Sequence, residues 1–190
     1  MMLPETTTRA RSPQRNGRAA GATAAPYRSM VRTALSPFAD SPTLDLTTGL
    51  TLEAWVNPSA TPQGWQAVLF KEMPGDGAYF LYRSSYGPVP VAGIFSGVER
   101  QILGTSGLGL NTWTHLAFTY DGAVERLYVN GVQVSTRAQT GAIQTSTGVL
   151  HIGGDSVWGE YFQGLIDEIR IYNRALSAAE VQTDMNTPVQ

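Results

Sequence analysis

The chain has 190 residues, no Cys, two His and a formal net charge of −2. A chain of this length fits one domain at the usual ~100–200 residues, and it can bury a core without covalent staples. The absence of Cys excludes a disulfide framework, a thiolate metal site and a Cys nucleophile; no apolar run reaches the ~18 residues a membrane helix needs.

Charge divides unevenly. Residues 1–40 hold six Arg against Glu5 and Asp40, a balance of +4, and residues 41–190 hold seven basic against thirteen acidic residues, a balance of −6. The first 40 residues are rich in Ala, Thr, Arg, Ser, Pro and Gly and show no sustained period of 2 or 3.6. Such a stretch cannot bury enough apolar surface to offset chain ordering, so it reads as a disordered arm or linker. It has no leader-type apolar core. Its scattered Arg do not form the patch that nucleic acid requires, so no nucleic-acid partner is expected. The acidic remainder disfavours anionic partners.

From Thr43 onward the apolar residues alternate with period 2, and turn residues interrupt them every ~8–12 positions. The first run, 51–58, puts Leu52, Ala54 and Val56 on one face and Thr51, Glu53, Trp55 and Asn57 on the other, and Pro58 ends it. Trp55 and Trp113 are read as core. Further strands are expected at 66–71, 78–83, 91–95, 99–103, 113–120, 125–129, 132–136, 149–153 and 164–172. Asn130-Gly131 sits between two apolar runs, where both central turn residues need positive φ. Asp121-Gly122 marks a second hairpin. Ser177 and Glu180 form a capping box ahead of one short helix. The whole is expected to be an all-β, two-sheet antiparallel sandwich with one short C-terminal helix.

Three segments carry a family resemblance: SPTLDLTTGLTLEAWVNP from Ser41, NTWTHLAFTYDGAVERLYVNGVQV from Asn111, and HIGGD from His151 running on to FQGLIDEIRIYNRALSAAEV. In order and spacing they resemble the laminin G-like jelly roll of the concanavalin A-like lectin/glucanase superfamily, here over residues 41–190. The resemblance implies an extracellular or cell-surface setting. It also implies a first strand with a Phe-Asp-Gly-like motif, which residues 29–39 lack. A missing strand would leave a sheet edge open to self-association through residues 1–40.

Endoglucanases on this fold set two carboxylates at alternate strand positions, ~5–5.5 Å apart for retention. No two acidic residues in this chain are separated by two positions, so an enzyme is not expected, with a glycoside hydrolase as the residual alternative. By parity Leu165, Asp167, Ile169 and Ile171 share a face, and an acid in such a row needs a partner. Either backbone N–H groups or a calcium ion meet that need, and the family resemblance implies Asp167 as a calcium ligand. Glu168, Arg170 and Tyr172 read as a surface charge ladder opposite.

Sugars are held by aromatic faces flanked by a few polar groups. The loop 153–164 offers Asp155, Trp158, Glu160 and Tyr161; the run 79–86 offers Tyr79, Tyr82, Arg83 and Tyr86; Trp65 lies in a Pro/Gly-flanked loop. Phe80 and Tyr82 fall on one parity, Tyr79 and Leu81 on the other. The expected function is a non-catalytic carbohydrate-binding or adhesion module whose partner is a glycan or cell-surface protein. The alternative is a structural or assembly domain.

Overall fold

The computed structural model describes residues 31–32 and 36–189. Two six-stranded antiparallel sheets face each other. The first runs β1(Val31–Arg32), β12(Gly164–Tyr172), β3(Leu50–Pro58), β8(Thr114–Tyr120), β9(Val124–Val129) and β10(Val132–Ala138). The second runs β2(Ser36–Phe38), β11(Leu150–Ile152), β4(Gln66–Met73), β5(Asp76–Ser84), β6(Val91–Phe95) and β7(Glu99–Leu103). The two-sheet sandwich is the one expected from the alternation, and its jelly-roll form is what the family resemblance implied. A 3-10 turn, Pro42–Leu44, and the helix α1(Ala178–Met185) complete it.

The core lies between the sheets. Leu52, Ala54 and Val56 of β3, with Phe118 of β8, meet Leu69, Leu81 and Ile94 across the interface. Each fully buried aliphatic side chain contributes about 1.5–3 kcal/mol. The Asn130-Gly131 turn has φ of 50° and 73°, as a tight hairpin of right-handed twist demands. Asn130 also pins β8: its Oδ1 accepts the His115 N–H at 2.9 Å.

Three expectations are corrected here. The sheets begin inside the stretch read as an arm: Val31 pairs with Ile166 and Arg32 with Leu165, while Ser36 to Phe38 pair with β11. Both sheets therefore have an edge strand where an open edge was expected. Of that arm, residues 1–30 and 33–35 lie outside the described residues. Lys71, fully buried, fastens this N-terminal segment by donating to Asp40 Oδ1 at 2.6 Å, to the Ser146 carbonyl at 2.8 Å and to the Gly148 carbonyl. The hydrogen bond from Lys71 lowers the Asp40 carboxyl below its ordinary value.

The second correction concerns β12. A bulge between Asp167 and Arg170, with Glu168 at φ 52°, inserts a residue and reverses the parity. Ile166 and Ile171 both enter the core, and Asp167, opposite Trp55 in the register, falls on the outer face with Arg170. Trp55 is half-buried there against His115, with ring centroids 5.4 Å apart, and is not in the core. Trp113 is likewise half-buried.

The third is the supposed surface ladder. Helix α1, held by the capping box of Ser177 and Glu180, packs Leu176 and Val181 over Ala117 and Tyr128. Arg170 donates to the Asp184 carbonyl at 2.7 Å and to the Thr187 carbonyl, and Tyr172 donates to Asp184 Oδ2 at 2.5 Å. Glu53 is sealed beneath them. Burial, reinforced by Asp184, pushes its carboxyl up to about 8, and burial raises Glu125 to about 7. Burial also lowers His115 to about 4.

These shifts fix a pH dependence. A carboxyl raised in the folded state stabilises fully below its ordinary 4.5, and that contribution is lost as pH climbs through the folded value. The depressed His115 acts the other way, costing stability only as pH falls below its ordinary 6.5. Between pH 6.5 and about 8 the carboxyls act alone, so the melting temperature should fall with rising pH. Glu53→Gln should flatten that slope; an unchanged slope would show that Glu53 is ionised when folded.

Candidate ligand-binding site

The outer face of the second sheet is not polar. Strand alternation sends Tyr79 and Leu81 of β5 inward and Phe80 and Tyr82 outward, where they join Phe70 and Ala67 of β4 and Val91 of β6. Phe70 and Phe80 stack at 6.3 Å with planes 23° apart, and Tyr82 meets both edge-on. Two strand glycines make room for the rings. A Cβ at Gly77 would sit 2.5 Å from Phe70, and one at Gly93 would sit 2.8 Å from the tip of Phe80. Larger residues there would displace the floor.

This floor opens into a cavity of about 230 Å³. Trp65 forms one wall, edge-on to Tyr82 at 5.1 Å and to Tyr86 at 5.8 Å. Trp158 forms the opposite wall, edge-on to Phe70 at 5.7 Å and 51% exposed. Three carboxylates complete the lining: Asp76, Glu99 and Glu160. Among the described residues the lining contains no Lys, Arg or His.

The loop that carries Trp158 is held from within. Asp155, fully buried, accepts the Trp158 N–H at 2.6 Å, the Gly159 N–H at 3.2 Å and the Glu160 N–H at 3.3 Å. Glu72 Oε1 accepts the N–H and hydroxyl of Ser156, each at 2.7 Å, and lies 3.0 Å from His151 Nε2. The Ala67 N–H donates to the Glu160 carbonyl at 3.0 Å, tying the loop to the edge of β4.

The carboxylates are perturbed. Burial raises Glu99, and the Asp76 carboxyl beside it raises it further. Burial also raises Glu160, against the pull of the Tyr82 hydroxyl that donates to Glu160 Oε2 at 2.9 Å. Burial, then Glu160, pushes the Tyr82 hydroxyl well above its ordinary value.

Of the residues expected to contact a ligand, Trp65, Trp158 and Glu160 line one cavity, and so do Tyr82 and Tyr86. Three do not. Arg83 is buried on the opposite face of β5 from Tyr82, donating to the Ala60 carbonyl at 3.1 Å and to Gln66 Oε1 at 3.0 Å. Asp155 builds the loop instead of facing the cavity. Tyr161 is 52% exposed outside the lining. Tyr79 is core, its hydroxyl donating to the Leu44 carbonyl at 3.1 Å.

Phe70, Phe80, Asp76 and Glu99 were not anticipated as site residues. The glycines at 77 and 93 were the available signal, since a strand glycine marks close approach of another group. No alternate-position pair of acids exists in the sequence, yet β5, β7 and a loop bring three carboxylates to one cavity.

Asp167 is a different case. It is 4% exposed and its Oδ1 accepts the Glu168 N–H at 2.8 Å. Among the described residues no group of three or more His, Cys, Asp or Glu could hold a metal ion. A calcium ion at Asp167 would have to draw most of its 6–8 oxygens from carbonyls and water. Chelation should leave the melting temperature unchanged; a fall of several degrees would assign the ion.

Residues 34–182 match the Laminin_G_3 family, described as the concanavalin A-like lectin/glucanases superfamily. The chain belongs to this family. Over 80 residues it is 39% identical to mouse pappalysin-1 and 38% identical to the human protein, a segment amounting to 40% of this chain and 5% of each relative. Among solved structures it is similar to domain 4 of AbnA, an extracellular arabinanase from Geobacillus stearothermophilus, solved with arabinotriose. The TM-score is 0.61 at 22% identity, covering 75% of this chain and 69% of that one. It is similar also to the CBM40 domain of the Ruminococcus gnavus IT-sialidase bound to α2,3-sialyllactose, with TM-score 0.64 at 15% identity over 82% and 94% of the two chains. At these identities the likeness is one of fold.

The loop architecture is testable. Asp155→Ala would orphan the N–H groups of residues 158–160, costing about 1–3 kcal/mol. It should also raise the mobility of Trp158, read as a red-shifted and more quenchable indole emission. Unchanged stability and emission would refute the bracing role.

Proposed function

We propose that this chain is a non-catalytic glycan-binding module acting outside the cell, with its site in the aromatic cavity on the outer face of the second sheet. One observation carries the reading: aromatic rings from β4, β5 and two loops converge where a sheet should meet water, and Trp158 is held half-exposed at the mouth. Stacking surface with carboxylate and hydroxyl acceptors around it is the chemistry that recognises a sugar ring. Two proteins of the same fold, one of them an extracellular enzyme's domain, were solved with sugars bound, which supports both the ligand class and the setting.

Trp158→Ala should weaken glycan binding about tenfold or more, the scale of one aromatic contact. Because half the ring is already in water, the melting temperature should fall by only about 2–4 °C. A glycan array that returns no hit with the intact protein would remove the sugar reading.

One observation favours a second reading. Glu99 and Glu160 are raised carboxyls in a cleft, as a glycosidase acid must be. Against it, Glu160 Oε2 is already engaged by the Tyr82 hydroxyl at 2.9 Å. Incubation with β-glucan and arabinan should release no reducing ends. Release that disappears in Glu160→Gln would replace binding with hydrolysis.

A further inference from the structure

We infer that the sugar this cavity takes carries a free ammonium group, so that it binds amino sugars in preference to neutral, N-acetylated or acidic ones. The inference rests on the glycan-binding reading and adds the charge of the ligand. Asp76, Glu99 and Glu160 enter one cavity whose lining, among the described residues, holds no basic side chain. Burial and the neighbouring Asp76 carboxyl raise Glu99 above its ordinary value, so ionising the pair puts negative charge in partly desolvated surroundings with no answering cation among the described lining residues. A ligand ammonium would answer it. Carboxylate-bearing sugars would add repulsion instead.

The rings point the same way. Trp65, Tyr82 and Trp158 present indole and phenol groups around the acids, and the faces of such rings attract cations as well as the apolar face of a pyranose. The Tyr82 hydroxyl donates to Glu160, which fixes one carboxylate in place as an acceptor. Size narrows the choice further. At about 230 Å³ the cavity falls below the ~300–1,000 Å³ of a drug-sized pocket, so it accommodates one sugar ring. A bare metal ion is a poorer occupant, because no group of three acids among the described residues is compact enough to hold one.

The test is a matched series differing at one position. β-Linked disaccharides of glucosamine and of galactosamine are titrated calorimetrically into the full chain, beside the same disaccharides N-acetylated and with hydroxyl in place of nitrogen. The free-amine sugars should bind about tenfold or more tightly than either counterpart. In Asp76→Asn/Glu99→Gln the ratio of amine-sugar to hydroxyl-sugar affinity should fall toward one. Equal or tighter binding of the hydroxyl or N-acetyl sugars would overturn the charge inference and leave glycan binding standing. Binding of choline, with no sugar bound in any form, would overturn both, making the cavity a cation cage. Retained amine preference in the double variant would show that the carboxylates do not select the ligand.

Discussion

Both faces of β5 are lined with large rings, and side chains of a strand must alternate between faces. That constraint governs the molecule. Tyr79 and Leu81 close the sandwich core from one side, so Phe80 and Tyr82 are forced onto the face that would otherwise meet water. An apolar outer face of this kind needs a cover. The loop between β11 and β12 supplies part of it, and Trp158 at its tip rests its edge against Phe70. The opposite sheet solves the same problem differently: its outer face is covered by α1, with Arg170 and Tyr172 reaching Asp184. One outer face is sealed by the chain itself, and the other is left open as a cavity.

Buried carboxylates recur with different duties. Asp155 is satisfied by three backbone N–H groups and therefore serves as a brace. Glu53 lies beneath α1, where burial favours its neutral form and makes helix docking sensitive to pH. Asp76, Glu99 and Glu160 share a cavity that opens to solvent. The same residue type is a structural group, a titrating group or a ligand-facing group according to what donates to it. Sequence position alone does not distinguish them.

Membership of the laminin G-like family accounts for the sandwich, yet one fold hosts many unrelated sites. Within the sandwich, Phe70 lies against Gly77 and Phe80 near Gly93 at the floor of the cavity. The bulge at Glu168 turns Asp167 away from the core. The first sets what the site can hold. The second places Asp167 on the outer face, where it accepts the Glu168 N–H.

The strands, the Asn130-Gly131 hairpin and the capping box at Ser177 were legible in the sequence because each depends on residues close together in the chain: a two-residue period, a turn needing two positive φ angles, a reciprocal side-chain to backbone pair. Part of the site was legible for the same reason, since Trp158 in a glycine-flanked loop and the parity of Phe80 and Tyr82 are local features. Arg83 was misplaced because polarity said nothing of the interior end of β5, where Gln66 and the Ala60 carbonyl receive it. The parity of β12 failed at one inserted residue. The strands at 31–32 and 36–38 escaped notice because segments of two and three residues carry no period. The meeting of Asp76, Glu99 and Glu160 was decided by the tertiary structure alone, because antiparallel pairing of β5, β6 and β7 and the return of a distant loop set their separation. Local periodicity determines which side of a strand a residue takes; only the packed sheets determine which residues of other strands it meets there.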